Sequence, residues 1–191
     1  MLEDLIISRV RVKLLELFLG NPGSIFHVRD AVRRVDEEIN AVRRELLHME
    51  KCGMVSKEPR ANRLFYKFRE DYPLYFDLLA LISKTKGLGG DILKNKNKIG
   101  KIKYAFLSGK FIRNVISAPN EVEMLIVGNV VLPQISQFVR TEETKRGREV
   151  NYTVMTEEEF SFRKSRRDSF LVSILEQSRI MIIGDEEEML K

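Results

Sequence analysis

"INAVRRELLHMEKCGMVSKEPRANRLFYKF", residues 39–68, changes its hydrophobic period part-way, and that change decides how the front of the chain folds. Up to Lys51 the period is helical. Val42, Leu46 and Met49 share one stripe with Ile39 beside them, while Asn40, Arg43, Arg44 and Leu47 project to the other side. Gly53 is the expected C′ residue that stops the helix. Beyond it "MVSKEP" and "RLFYKF" read as two short strands joined by "RAN". Five basic residues and one acid lie between Lys57 and Arg69.

Upstream, Val10, Leu14, Leu17 and Phe18 predict a helix over 9–19, which "GNPGS" (20–24) stops. "IFHV" is short and β-like, and "VRDAVRRV" (28–35) predicts a second, short helix. Asp36 is the expected N-cap of the third, with Glu37 and Glu38 in its first turn, where the helix dipole favours acids. Helix, short strand, helix, helix and basic hairpin is the order of a winged helix-turn-helix. An α-helix fits the major groove, and a basic hairpin lies on phosphates beside it. Asn40, Arg43 and Arg44 suit base edges or phosphates. Lys57, Arg60, Arg63 and Lys67 suit the backbone, where each contact gains by counterion release. A solvated helix face with an ordinary surface hairpin is the plainer alternative, and the order of elements favours DNA. Glu37 and Glu38 oppose it, since they stand at the groove end of the helix and repel phosphate.

The totals permit this without requiring it. The 191 residues carry a formal charge of +5, split as 16 basic and 13 acidic residues up to 87, then 17 and 15 after it. DNA contact therefore depends on local clustering rather than bulk charge. Cys52 is the only cysteine, so no internal disulfide and no cysteine zinc site forms; beside a helix end it is expected to fill the core. Two histidines far apart in sequence, His27 and His48, give little support for metal or triad chemistry. No apolar run approaches membrane-spanning length, and the N-terminus is broken by charges, so a cytoplasmic protein without membrane attachment is expected.

"DYPLYFDLLALISKTKGLGG" (71–90) predicts an apolar connecting helix, with the glycines at 87, 89 and 90 as a domain boundary. "GLGG" lacks the lysine and preceding strand of a phosphate loop. The second half alternates strands and helices: strands at 103–109, 122–128 and 148–156, a stretch at 132–147 that is helical in its first part, and a long amphipathic helix over 157–178. In that last helix Phe160, Phe170, Leu171, Ile174 and Leu175 are expected inward. A short strand and an acidic tail follow. The expectation is an α+β chain whose second half carries a mixed sheet of about four strands. The run "FRKSRRDSF" (162–170) reads as a solvated basic face, with a contribution to a nucleic-acid or partner surface as the alternative.

"AFLSGKFIR…NEVEMLIVGN", "GREVNYTVMTEEEF" and "DSFLVSILEQSRIMIIGDEEEM" resemble the minimal nucleotidyltransferase family, small relatives of the DNA polymerase β fold. "VRVKLLELFLGNPG", "HVRDAVRRV" and, after them, "VRRELLHMEKCGMVSKEPRANRLFYKF" with the hairpin resemble the winged-helix module fused ahead of such domains in predicted prokaryotic transcriptional regulators. The resemblance implies three domains of sequence: a winged helix over 1–70, a connecting helix over 71–90 and a nucleotidyltransferase-like domain over 91–191. It also implies where catalysis would sit. Gly109 matches the glycine of the family's Gly-Ser pair, Lys110 stands in place of the serine, and Asn114 in place of a second loop glycine. Glu121 and Glu123 replace two aspartates that hold magnesium, and Asn151 falls where the third carboxylate belongs. Glutamate is one methylene longer than the octahedral geometry of magnesium wants. Lys110 brings positive charge to a cation site. The expectation is that Glu121 and Glu123 lie on one face of a strand and that Lys110 neutralises them with no metal, no cofactor and no catalytic residue. Magnesium enters only if the chain is a metal-dependent nucleotidyltransferase acting on a protein or small molecule. The preferred reading is a DNA-binding transcriptional regulator. Its partner is double-stranded DNA, it acts as a homodimer reading symmetric half-sites, and its back domain serves dimerisation or ligand and partner sensing.

Overall fold

A computed structural model describes residues 2–60 and 63–191. The chain is α+β and divides into two compact units, Met1–Thr85 and Lys86–Lys191. The first holds an antiparallel three-stranded sheet and the second a mixed four-stranded one.

In the first unit α1 (Leu2–Leu5) precedes α2 (Arg9–Leu19), which opens on Ser8, whose hydroxyl accepts the Arg11 N–H. After β1 (Ile25–His27) comes α3 (Val28–Val35), capped by the His27 ring, which accepts the Arg29 N–H. Asp36 is not the N-cap of the next helix. It takes the left-handed conformation, φ 51°, and closes α3 instead. A short polar side chain tolerates that region better than most. The cap of α4 (Ile39–Lys51) is Glu38, whose carboxylate accepts the Ala41 N–H at 2.9 Å.

Along α4 the expected stripe is buried: Val42, Leu46 and Met49 are at most 1% exposed. Each such side chain contributes about 1.5–3 kcal/mol by leaving water. Gly53, φ 76°, ends the helix, with its N–H on Glu50 O and that of Met54 on Met49 O. β2 (Val55–Arg60) and β3 (Arg63–Phe68) then pair antiparallel from Val55↔Phe68 to Arg60↔Arg63. Ala61 and Asn62 of the expected "RAN" turn lie outside the described residues. β1 adds to the other edge of β3, giving the order β1-β3-β2. Phe18 packs edge-on against Phe26, ring centroids 5.5 Å apart, and Cys52 is exposed rather than in the core.

The stretch 71–90 holds parts of two helices rather than one. α5 (Tyr75–Thr85) buries Tyr75, Leu79 and Ile82 within the first unit. α6 (Gly87–Lys94) opens the second, with Gly89 and Gly90 buried in it rather than in a loose boundary. Lys86, extended at φ −132° and ψ 163°, is what separates them, and Gly87 follows at φ 62° as the first residue of α6.

α7 (Lys96–Ile99) leads into β4 (Gly100–Ser108), and α8 (Gly109–Ile112) follows it. β5 (Met124–Val130) connects through α9 (Leu132–Arg146) to β6 (Tyr152–Met155), which lies parallel beside it. α10 (Glu157–Ser165), α11 (Ser169–Leu175), β7 (Arg179–Ile183) and α12 (Glu186–Leu190) complete the unit. Sheet order is β6-β5-β4-β7. Tyr104–Ser108 and Met124–Gly128 are buried throughout, as central strands covered on both faces must be. Tyr104, Phe106, Leu125 and Val127 form one core with Met155, Phe160, Leu171, Ile174 and Met189.

The long helix expected over 157–178 is broken. Arg167 turns left-handed, φ 51°, and Asp168 caps α11 by accepting the Leu171 N–H. The break rotates the stripe, so Phe170 is 39% exposed instead of inward. The acidic tail folds as α12, capped by Asp185, and buries Met189 completely.

Candidate functional site

Two places carry the residues singled out by sequence, one in each unit. In the first unit, burial of Val42, Leu46 and Met49 turns Asn40, Arg43, Arg44 and Leu47 outward on α4. A groove of about 790 Å³ runs beside that face. Arg29 and Arg33 of α3, Arg43 and Leu47 of α4, and Arg63 and Leu64 of β3 line it, with Tyr66 and His27. The fold thus joins Arg43 and Arg63, two of the expected DNA contacts, and adds Arg29 and Arg33, which sequence reading passed over. Their signal was spacing: four residues apart, they share one face of α3.

The basic residues differ in whether they are already paired. Lys57 pairs with Glu50 at 3.1 Å, Arg60 with Glu58 at 2.8 Å and Lys67 with Glu70 at 3.8 Å. These three do not line the groove, and neither do Asn40 and Arg44. Asp30 is held by Arg33 at 2.6 Å and Arg34 at 2.9 Å, which keep its carboxyl below the usual range. Among the described residues Arg29, Arg43 and Arg63 make no ion pair. Glu37, expected to repel phosphate, is neutralised by Lys13 at 2.6 Å and Arg9 at 3.2 Å. Glu38 is engaged by the backbone N–H groups of Asn40 and Ala41, which hold its carboxyl low.

In the second unit Glu121 and Glu123 are not on one strand face. They lie in the loop ahead of β5, which begins at Met124. They also take different cations. Lys110 Nζ sits 2.5 and 2.7 Å from the two Glu121 oxygens, and the Ala118 N–H donates to the same carboxylate. The Lys110 ammonium, then that N–H, hold the Glu121 carboxyl below its ordinary value. Glu123 is 1% exposed and belongs to Arg148, which forks onto it at 2.7 and 2.8 Å. The Ser117 hydroxyl and the Asn151 N–H complete its shell. Sequence reading gave both acids to Lys110, because nothing in the spacing marks Arg148, 25 residues on.

The remaining members of the expected centre are occupied as well. The Gly109 N–H donates to Ser178 O at 2.6 Å, and a Cβ at Gly109 would stand 2.3 Å from Ser178 Oγ. The Ser108 hydroxyl caps α8 by accepting the Phe111 N–H. Asn114 is left-handed, φ 56°, and accepts from Arg146. The Asn151 side chain donates to Pro119 O. Among the described residues no group of three or more His, Cys, Asp or Glu side chains is arranged to hold a metal ion.

Compared with family models, with curated proteins and with solved structures, the chain matches none. No helix among the described residues is long and apolar enough to cross a membrane.

Proposed function

We propose that the chain is a cytoplasmic DNA-binding transcriptional regulator of the winged helix-turn-helix kind. The observation that carries this is the groove in which Arg29, Arg33, Arg43 and Arg63 meet beside the outward face of α4. Arg33 is paired with Asp30, which also lines the groove, so the three unpaired guanidinium groups of Arg29, Arg43 and Arg63 are the ones that suit a phosphate chain. The neighbouring Asn40, Arg44 and Leu47 suit base edges, with leucine apt for a thymine methyl. Homodimerisation gives such a small reader two half-sites. In the back unit, a nucleotidyltransferase-like module serves dimerisation or the sensing of a partner. Its acids are already matched to Lys110 and Arg148. Metal-dependent nucleotide transfer would require both cations to leave.

Selection of bound duplexes from a random library tests the reading. An enriched motif is expected, and its binding is lost on Arg43→Ala with Arg44→Ala. If the three unpaired groove arginines neutralise phosphate, log K falls against log salt with a slope of about −2.7 from them. Arg29→Ala should lower that slope by about 0.9. Failure to enrich any sequence would overturn the proposal. Nucleotide incorporation that vanishes in Glu121→Ala with Glu123→Ala would establish the enzyme instead.

A further inference from the structure

The run "FRKSRRDSF", residues 162–170, has no part in the function proposed above. It forms the corner where α10 ends and α11 begins. We infer that this corner is a binding surface for single-stranded nucleic acid, built from Phe162, Arg166 and Arg167.

Phe162 is 56% exposed, and the Arg166 guanidinium lies over its ring, 4.4 Å from the centroid. That cation–π contact holds the guanidinium against the ring, and Arg166 is otherwise exposed. A base can stack on a guanidinium plane or on the ring itself.

Nearby cations sort into used and unused. Arg163 is taken by Glu159 at 2.9 Å and Asp168 at 3.4 Å. Lys164 donates to Met189 O at 2.7 Å. Arg166 and Arg167 form no ion pair among the described residues. Arg166 therefore lies over the exposed ring with Arg167 next to it in the chain, and Glu159 and Asp168 are already neutralised by Arg163.

The backbone makes Arg167 a costly choice. The Arg167 N–H bonds Lys164 O and the Asp168 N–H bonds Arg163 O, which places Arg167 at the C′ position of a helix-ending motif that favours glycine. An arginine at φ 51° is strained there, and its side chain is exposed, so packing does not account for it. A duplex keeps its base faces stacked inside and would use only the charges. Free bases use ring and charges together, which favours the single strand.

Fluorescence anisotropy of the full chain with labelled oligothymidylate tests this, independently of the duplex reading. Phe162→Ala should weaken binding about tenfold, the loss of one stacked base. Arg166→Gln with Arg167→Gln should lower the salt slope by about 1.4, two phosphates at 0.7 each. Lys96→Gln with Lys98→Gln, an equal change of net charge at exposed positions of α7, should leave the slope as it was. Arg167→Gly separates contact from fold: its thermal midpoint should hold or rise while binding weakens. The inference is overturned if oligothymidylate does not bind. It is equally overturned if the Phe162 and Arg166/Arg167 changes leave binding intact, or if an unlabelled duplex of equal length competes as well as the single strand.

Discussion

Arg148 closes a two-bond fork on Glu123, at 2.7 and 2.8 Å, around a carboxylate that is 1% exposed. A buried pair of this kind adds little over an apolar pair of the same volume, yet removing one partner strands the other charge. Arg148→Ala should therefore destabilise the chain by about 3 kcal/mol, while Glu123→Met with Arg148→Met should recover most of that loss. Urea unfolding of the three proteins measures both. Equal stability of Arg148→Ala and wild type would mean that Glu123 has water or another cation at hand.

Lys110 and Glu121 give a pH signature. The folded carboxyl titrates below its ordinary value of 4.5, so the unfolded chain binds more protons in that window. Stability from the pair is complete above 4.5 and is lost as pH falls through the folded value. Lys110→Ala should flatten the acid limb of the stability profile and leave its shape near neutrality unchanged. Other held carboxylates, Asp30 and Glu38 among them, contribute to both proteins and cancel in the difference.

Adjacent leucines on α4 report the phase of the helix. Leu46 is 1% exposed and Leu47 is 55% exposed. Leu46→Ala should lose about 3 kcal/mol, the transfer and cavity terms together, and Leu47→Ala less than about 0.5 kcal/mol. On the proposed function Leu47→Ala should instead alter which duplexes are selected. Thermal unfolding beside library selection separates the two. A large stability loss at Leu47 would place α4 out of phase.

Period carries local structure well and distant partners poorly, and particular residues show where the line falls. The stripe Val42, Leu46, Met49 and the left-handed Gly53 were legible because each depends on neighbours within a turn or two. The same holds for the four-stranded mixed sheet, whose central strands are near-continuous apolar runs. Arg148 on Glu123 was not legible, since a long-range ion pair leaves no mark in spacing. Nor was the groove that collects Arg29, Arg33, Arg43 and Arg63, which exists only once α3, α4 and β3 are packed. The break at Arg167 was hidden for another reason. Its apolar pattern continues a helix, and the residue that ends it is not the glycine that usually does.

Asp36 offers the sharpest check on local reading, because its two possible roles respond oppositely to one substitution. An aspartate that caps the N-terminus of α4 would lose a side-chain bond on change to glycine or alanine, with alanine the worse. The structure has it closing α3 at φ 51°, where the side chain resists the backbone and makes no cap bond. Glycine adopts that conformation without strain, so Asp36→Gly should hold stability or raise it by up to about 1 kcal/mol. Asp36→Ala keeps a Cβ without the local hydrogen bonding that helps aspartate there, and should lower stability. Glu38→Ala is the matching probe at the true cap and should loosen the first turn of α4, seen as faster amide exchange at Ala41, whose N–H it holds at 2.9 Å. Stabilities ranked Gly above Asp above Ala at position 36 fit a left-handed helix end. The order Asp above Gly above Ala would return the capping role to Asp36 and move the start of α4.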